Sequence, residues 1–259
     1  MSEHLRTEVR GSILEVTIDK PKANAIDTAL SVRMGEVFEA FKRNDELQVA
    51  ILTGAGEKFF SAGMDLADPK ASETADFGIG GFGGLLECFD LHKPVIAAIN
   101  GYCLGGSLEF AMAADIMIAS QNARFSFPEI NVGMSPKAVS IQRLLHRLPR
   151  SIAMEMLLTG RRMDAEEARA VGFVSELVDA ATLMSRARHL ADLIVRAAPL
   201  AVLACKEAAV TCAHLPLEEI SRRQYARALP WYARMEGSED ALEGPRSFVE
   251  KRSPVWKGR

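Results

Sequence analysis

The chain has few of the residues that build metal sites or disulfide frameworks. Its 259 residues include four cysteines and five histidines. No two cysteines are spaced as CxxC, and no two histidines are spaced as HxxxH or HExxH. The sequence therefore predicts reduced cysteines and no metal ion, which is typical of cytoplasmic proteins.

The sequence also lacks an excess of positive charge and any long hydrophobic run. A formal net charge of -3 gives no electrostatic footprint for nucleic acid. Apolar runs such as Val95–Ile99 are far shorter than the roughly 20 residues of a membrane-spanning helix. Residues 1–4 have neither the basic nor the apolar region of a signal peptide. We therefore expect a cytoplasmic location, with no nucleic-acid partner and no membrane partner.

What the sequence does contain is the pattern of an α/β fold. Hydrophobic residues make up 48% and charged residues 25%, an ordinary balance for a globular domain. Asp27 has the position of an N-cap for an amphipathic helix that runs to about Phe41. Short apolar or alternating runs predict buried strands, and glycine-bearing turns and helices follow several of them. These runs are residues 13–18, 49–53, 95–99 and 116–119.

The C-terminal part of the sequence becomes helical. From residue 199 onward only helices are predicted, including 217–234 and 238–250. We therefore divide the chain into a core, 1–199, and a C-terminal helical region, 200–259.

Residues 68–84 are rich in glycine and small polar residues. Five glycines fall between residues 78 and 84. This composition favours a mobile loop over or beside a site. A phosphate-binding loop is the alternative, but the segment lacks both the GxGxxG order after a strand and the GK[ST] ending.

The sequence GGSLE at 105–109 joins a glycine pair to the start of a predicted helix. Glycine allows close backbone approach, and the N–H groups at a helix start can stabilise a developing oxyanion. Glu109 would lie one turn into the helix, where the dipole favours its ionised form. The alternative is structural: a tight helix–strand contact whose first-turn glutamate complements the dipole.

The sequence SAGMD at 61–65 predicts a second turn of small residues. One N–H group from this turn and one from Gly106 can make an oxyanion pocket with two donors. Asp65 has a simpler interpretation as a helix N-cap.

Glu129 follows Pro128, which fixes φ and biases the preceding residue towards an extended conformation. Its apolar neighbours, among them Phe125 and Phe127, would desolvate the carboxylate and raise its pKa, which makes a protonated Glu129 a candidate acid. The alternative is a surface glutamate that closes a turn. Paired carboxylates beside glycine turns indicate acid–base chemistry next to a carbonyl group.

In combination, these motifs resemble the crotonase superfamily, the enoyl-CoA hydratase/isomerase group. The matching stretches are KFFSAGMDL at 58–66, PVIAAING at 94–101, GGSLE at 105–109 and FPE at 127–129. The resemblance covers essentially the whole chain. It implies a crotonase-like α/β spiral of ββα units with a C-terminal helical trimerisation region, assembled as a homotrimer or a dimer of trimers. It also implies an acyl-CoA substrate and no separate cofactor, since CoA is carried as part of the substrate.

The resemblance further implies which residues bind the thioester. Ala62 and Gly106 would supply the oxyanion-hole N–H groups. The backbone of Ala62, Gly63, Met64 and Asp65 would contact CoA.

The resemblance also divides the work of the two carboxylates. Glu109 corresponds to the residue that orients or activates water at the β-carbon, and Glu129 to the one that exchanges the α-proton. Because both are present, hydration or dehydration is favoured over double-bond isomerisation.

Two positions depart from the family pattern. Lys137 stands where hydratases usually carry a glycine whose N–H helps to hold the water, so its side chain adds bulk and charge near the β-carbon. Ser107 replaces a third glycine, a change that we expect to be minor. The reaction is therefore open between a hydratase or dehydratase and another CoA-thioester reaction (isomerisation, hydrolysis or decarboxylation). A non-catalytic or RNA-binding relative is a further alternative, against which the net charge of -3 counts.

Overall fold

The computed structural model describes residues 4–70 and 75–259. Strands precede helices in the first half of this described part, and helices dominate the second half. The strands are β1 (Leu5–Arg10), β2 (Ile13–Ile18), β3 (Val49–Gly54), β4 (Phe59–Ser61), β5 (Val95–Ile99), β6 (Tyr102–Leu104), β7 (Ile116–Ser120), β8 (Arg124–Ser126), β9 (Met163–Asp164) and β10 (Glu176–Val178). The helices are α1 (Thr28–Arg43), α2 (Gly106–Ala111), α3 (Ala138–Arg147), α4 (Arg150–Thr159), α5 (Ala165–Ala170), α6 (Leu183–Val195), α7 (Pro199–Thr211), α8 (Leu217–Tyr225), α9 (Pro230–Glu236) and α10 (Glu239–Val249). Short 3-10 turns lie at Phe82–Gly84, Pro128–Val132 and Ala180–Thr182.

The described strands form two β-sheets. The larger has six strands in the order β1-β2-β3-β5-β7-β10, and the smaller has four in the order β4-β6-β8-β9. Pairing is antiparallel for β1 with β2 and for β8 with β9, and parallel for the other pairs. From β3 to β8, each consecutive pair gives its first strand to the larger sheet and its second to the smaller. This repetition confirms the predicted α/β spiral.

Burial explains why the central strands could be recognised. Every residue of β3 and β5 is buried, so these strands are continuous apolar runs rather than alternating ones. At the sheet edge, β1 exposes five of its six residues. The start of α1 is set locally, because the Asp27 carboxylate accepts the Leu30 N–H at 2.7 Å. The predicted N-cap is confirmed.

The chain divides into two compact units. The first comprises residues up to Cys88 together with Val95–Ala191, and the second comprises Phe89–Pro94 and Asp192–Arg259. Both sheets belong to the first unit, and α7 to α10 belong to the second. The boundary drawn from the sequence at residue 199 stays a prediction. Within residues 4–70 and 75–259, no helix has the length and apolar character needed to cross a membrane.

One predicted helix of the second unit is divided in two. The run 217–234 forms α8 and α9, with Arg227 between them in a left-handed conformation (φ 53°). Pro230 begins α9, because proline fits the first position of a helix but not its interior. The helix predicted at 238–250 is confirmed as α10, whose N-cap hydroxyl, Ser238, accepts an N–H of the first turn at 3.1 Å.

The end of the glycine-rich segment is packed against the core. Residues 71–74 of the predicted mobile loop lie outside the described residues. The turn Phe82–Gly84 is buried, and a Cβ on Gly84 would lie 2.5 Å from the backbone nitrogen of Gly35 in α1. Glycine is needed here for close backbone approach. The predicted place of this segment beside a site is confirmed, because Phe82 lines the cavity described below, and its mobility stays a prediction.

Candidate active site

One cavity of the first unit collects most of the predicted site residues. Its volume is about 340 Å³. Ala62, Met64, Gly106, Glu109 and Glu129 all line it. The other lining residues are Leu66, Phe77, Phe82, Gly105, Pro128, Val132, Met134, Ser135, Pro136, Lys137 and Ala138.

The start of α2 brings a glycine amide and a carboxylate to this cavity. The helix begins at Gly106, as predicted, and carries Glu109 in its first turn. Gly105 precedes it with φ 55°, a conformation that favours glycine. A Cβ on Gly106 would lie 2.6 Å from Cε1 of Phe82, so this position also requires glycine. As the first residue of the helix, Gly106 has an N–H without an acceptor inside it.

In the turn at 61–65, the N–H of Ala62 is not available to bind a ligand. The Ala62 N–H donates to the carbonyl oxygen of Ala23 at 2.9 Å and is therefore already used. The assignment of this N–H as an oxyanion donor is wrong, although Ala62 lines the cavity.

In the same turn, the N–H of Met64 points away from Ile26. Ile26 makes both hydrogen bonds of a parallel bridge: its N–H donates to the Gly63 carbonyl and its carbonyl accepts the Asp65 N–H, each at 2.8 Å. In such a bridge the residue between the two partners, here Met64, turns its own N–H away. Gly63 and Asp65 therefore support the turn, and among the described residues they do not line the cavity.

The two turns lie against each other. A Cβ on Gly63 would lie 3.0 Å from the backbone nitrogen of Gly106 and 2.5 Å from the carbonyl oxygen of Leu104. The Ser107 hydroxyl donates to the Ser61 carbonyl at 2.7 Å and accepts the Leu104 N–H at 2.8 Å. Ser107 thus ties the turns together, so the expectation that it is a minor replacement of glycine is wrong.

Ion pairs and hydrogen bonds of polar side chains stabilise the turn at 61–65 and the residues next to it. The Lys20 ammonium contacts the carboxylates of Asp27 at 2.6 Å and Asp65 at 2.9 Å. The hydrogen bond from Lys20 holds the pKa of Asp65 below its ordinary value. The buried Asn24 side chain donates to the carbonyl oxygens of Ala55 and of Phe59 in β4, each at 3.0 Å. The N-cap interpretation of Asp65 is wrong, because residues 66–70 form turns rather than a helix.

Glu109 is a buried carboxylate held by a backbone amide. It is 5% exposed, and its Oε1 accepts the N–H of Lys137 at 2.6 Å. Burial raises the pKa of Glu109, while that N–H and the charges of Lys137 and Arg143 act in the opposite direction. The resemblance assigned this N–H to the reacting water, whereas here it binds the carboxylate.

Glu129 lies in the 3-10 turn that begins at Pro128. Burial raises the pKa of Glu129 to about 7, and repulsion by Glu109 adds to the rise. Its Oε2 is buried and has no hydrogen-bond partner within the described part of the chain. Its Oε1 packs against Gly105, where a Cβ would lie 2.8 Å away. A buried carboxylate oxygen with unused bonding capacity is expected at a reacting group rather than at a surface turn.

Two aromatic side chains that the sequence analysis did not assign to the site form one wall. Phe77 and Phe82 pack edge to face, with ring centroids 5.0 Å apart at 89°. They lie in or beside the glycine-rich segment, so their apolar character within a glycine run was the available signal. Because both rings line the cavity together with the two carboxylates, a group bound there would meet apolar as well as acidic side chains.

The described residues hold no cluster of three or more His, Cys, Asp or Glu side chains that could bind a metal ion. All four cysteines are free. Burial raises the pKa of the Cys103 thiol, which disfavours its thiolate. The ionisable side chains that line the cavity are Glu109, Glu129 and Lys137.

Comparison with known proteins places this geometry in a family. Residues 8–259 match the family described as Enoyl-CoA hydratase/isomerase. The chain belongs to this family. It is 53% identical over 261 residues to a carnitinyl-CoA dehydratase of Proteus mirabilis (strain HI4320), with 100% of both chains covered. It is 52% identical, with the same coverage, to a carnitinyl-CoA dehydratase of Escherichia coli (strain K12). A solved enoyl-CoA hydratase from Mycobacterium tuberculosis H37Rv matches with a TM-score of 0.88 and 35% identity, covering 99% of each chain.

The sequence of this family member itself indicates the closer relationship. Three stretches resemble carnitinyl-CoA dehydratases: GGFGGLLECFDL at 80–91, TGRRM at 159–163 and KRSPVWKGR at 251–259. The 52% and 53% identities confirm that resemblance.

Proposed function

We propose that this enoyl-CoA hydratase/isomerase family member adds water to, or removes water from, the C2–C3 bond of an acyl-CoA thioester. The observation that carries the proposal is the meeting of Glu109 and Glu129 in one cavity, beside two adjacent turns of backbone. Two carboxylates in different environments can act as base and acid at neighbouring carbons. The activity is that of a hydro-lyase.

The thioester oxygen binds the N–H groups of Met64 and Gly106. Three observations support this assignment. The Ala62 N–H already donates to the Ala23 carbonyl, the Met64 N–H points away from Ile26, and Gly63 packs closely on Gly106. Backbone donors stabilise the enolate oxygen that forms when C3 is attacked. The backbone of 62–65 also contacts the CoA portion.

In the direction of hydration, Glu109 accepts a proton from water as the water oxygen bonds to C3. Glu129 donates its proton to C2, and the enolate collapses to the saturated thioester. One proton therefore moves from Glu129 to Glu109, and the pair holds a single proton before and after the reaction. Dehydration runs through the same states in reverse. We propose that both carboxylates act on the same face of the C2–C3 bond, which makes the addition syn.

The direct test is incubation with crotonyl-CoA, followed as loss of the enone absorbance. We expect hydration by the wild-type protein and none by a Glu109→Gln, Glu129→Gln double variant. If the wild type shows no turnover on any enoyl-CoA but isomerises, hydrolyses or decarboxylates a thioester, the hydratase proposal is wrong. Binding to RNA without turnover would favour the non-catalytic alternative.

The donor assignment can be tested at single backbone atoms. Replacing the amide at Met64 by an ester removes one N–H, and we expect kcat to fall by about 10²–10³-fold. The same replacement at Ala62 removes its hydrogen bond to Ala23 and should reduce stability instead. A larger loss of kcat at Ala62 than at Met64 would return the donor role to Ala62.

Crotonobetainyl-CoA and carnitinyl-CoA are the first acyl-CoA pair to test, because two relatives at 52% and 53% identity carry the corresponding name. A series of enoyl-CoA thioesters that vary in chain length and charge tests the identity of the acyl group.

Assembly as a homotrimer or a dimer of trimers is part of the proposal. Support comes from large apolar side chains that the second unit exposes, such as Leu217 (84%), Tyr225 (85%) and Phe248 (85%). Sedimentation equilibrium should give three or six times the chain mass. A monomer at micromolar concentration would contradict the assembly and leave the chemistry untouched. The cytoplasmic location stays a prediction from the sequence.

A further inference from the structure

Ser140 is a buried serine of α3 that lies next to Glu109, the candidate base. It is 0% exposed, and it is not among the described residues that line the cavity. We propose that Ser140 is a positioning residue, whose hydroxyl donates a second hydrogen bond to Glu109 and keeps that carboxylate ionised for its reaction with water. This inference rests on the proposed function, in which Glu109 takes a proton from the water that attacks C3. Ser140 therefore acts through Glu109 and not on the substrate.

The backbone at the start of α3 brings Ser140 and Glu109 together. Lys137 is the N-cap residue of this helix, and its N–H donates to Glu109 Oε1 at 2.6 Å. Ser140 is the third residue of the helix, and its own N–H donates to the Lys137 carbonyl at 2.8 Å. In a capping box, the side chain at this third position reaches back to the N–H of the N-cap residue. Here Glu109 occupies that N–H, so a side chain that follows the same course meets the Glu109 carboxylate.

The Ser140 hydroxyl is not used by its own helix. A serine inside a helix often donates to the carbonyl oxygen of the preceding turn. The Ser140 Oγ is buried and has no hydrogen-bond partner within residues 4–70 and 75–259. It nevertheless lies close enough to the Glu109 carboxylate to lower the pKa of that group. A buried hydroxyl with an unused hydrogen is expected to donate it to the nearest acceptor, which here is a carboxylate that must be ionised to work.

Glu109 needs such a donor because its surroundings favour the protonated form. It is 5% exposed, and burial raises its pKa. Only the ionised carboxylate can accept a proton from water. A hydroxyl can donate to the ionised carboxylate and accept from the protonated one, whereas the Lys137 N–H can only donate. Ser140 can therefore stay bonded to Glu109 on both sides of the proton transfer, in hydration and in dehydration.

Other charged groups also act at this position, and the test has to separate their effects from that of the hydroxyl. They are two cations of α3, the second carboxylate of the cavity and an acidic side chain that acts on one of the cations: Lys137, Arg143, Glu129 and Glu87. A substitution of Ser140 leaves all four unchanged, because serine is uncharged. A change in the ionisation of Glu109 in such a variant therefore reports the hydroxyl.

The test follows the ionisation of Glu109 in the ligand-free protein and in catalysis. Ser140→Ala removes the hydroxyl, and Ser140→Cys replaces it by a weaker S–H donor. Ser247→Ala is the matched control, because Ser247 is also a buried helical serine but its hydroxyl donates to the Gly244 carbonyl at 2.9 Å. The titration of Glu109 is read by ¹³C NMR of the side-chain carboxyl groups, and Glu109→Gln assigns its signal. The pH profile of kcat/KM for crotonyl-CoA is measured on the same proteins.

We expect Ser140→Ala to move the titration of Glu109 to higher pH, because the ionised carboxylate loses a donor. The acid limb of the kcat/KM profile should move in the same direction. On that limb, kcat/KM relative to the wild type should be about three- to tenfold lower than at the plateau. Ser140→Cys should lie between the wild type and Ser140→Ala, and Ser247→Ala should match the wild type.

A purely structural role of Ser140 would lower kcat/KM by one factor at every pH. That result, with an unchanged titration of Glu109, would overturn the inference. An equal shift in Ser247→Ala would overturn it as well, because the effect would then not depend on contact with Glu109. If no enoyl-CoA is hydrated by the wild type, the proposed function fails, while the titration of Glu109 still decides whether Ser140 keeps it ionised.

Discussion

The two carboxylates of the cavity have the same side chain but belong to different local structures. Glu109 lies in the first turn of α2, where the Lys137 N–H binds its Oε1 at 2.6 Å. Glu129 lies in a 3-10 turn begun by proline, and its Oε2 has no partner among the residues described. Burial raises the pKa of both, and that of Glu129 reaches about 7.

The difference shows that the local backbone structure can give two glutamates different roles in proton transfer. A carboxylate that accepts an amide hydrogen bond stays ionised more readily and suits the base that activates water. A carboxylate whose burial outweighs its hydrogen bonding, as at Glu129 with its unpartnered Oε2, keeps its proton longer and suits the acid that protonates C2.

Glu129→Gln removes the acid and should have the largest effect. We expect hydration and α-proton exchange to fall by about 10⁴-fold, with acyl-CoA affinity changed little, because glutamine keeps the shape but transfers no proton. Enone absorbance, deuterium incorporation at C2 and calorimetric binding measure the three quantities. Wild-type turnover in this variant would refute the assignment.

Glu109→Gln removes the proposed base and leaves Glu129 unchanged. Hydration should fall by about 10²–10³-fold, because water loses its base. Deuterium exchange at C2 of a saturated acyl-CoA should continue, since Glu129 is intact. If both carboxylate variants lose exchange equally, the division of roles is wrong.

Gly105→Ala tests the packing that positions Glu129. The added Cβ would lie 2.8 Å from Glu129 Oε1, and we expect kcat to fall by roughly tenfold or more in addition to the backbone strain. Gly11→Ala is the matched control, because Gly11 has φ 58° against 55° for Gly105 but its Cβ would meet nothing within 4 Å. Both variants should lose about 1 kcal/mol of stability in urea unfolding, which reports the shared left-handed strain. Equal activity in the two would show that Gly105 serves the backbone alone.

The pH dependence should show the smallest effect. The pair works with one proton, so kcat/KM falls when the pair loses it and when the pair gains a second. A pKa of about 7 for Glu129 places the alkaline fall above pH 7, at about tenfold per unit. The acid fall follows protonation of Glu109, whose pKa burial raises above its ordinary value. Hydration and dehydration should share one bell-shaped profile, and an alkaline limb that survives in Glu129→Gln would contradict the assignment.

Much of the fold could be predicted because the signals are local. The continuous apolar runs of β3 and β5, the cap at Asp27 and the start of α2 at Gly106 all appeared where the sequence indicated. The division of the 217–234 helix was missed although Pro230 signalled it.

The errors at the site concern contacts between distant segments. Ala62 loses its role to Met64 because residues 23–26 take up one side of the turn. Ser107 links the two turns rather than being a minor replacement of glycine, because its hydroxyl donates to the Ser61 carbonyl. Neither partner can be read from the residues around the motif.

By itself, the sequence determined four strands of the larger sheet, the starts of α1 and α2, the family and the two acidic residues of the cavity, because periodicity, capping and glycine requirements act over a few neighbouring residues. Only the tertiary structure decided which amides are left to bind an oxyanion and which carboxylate is held by a donor. Those outcomes depend on hydrogen bonds such as the one between Lys137 and Glu109, 28 residues apart, which form only when the chain folds.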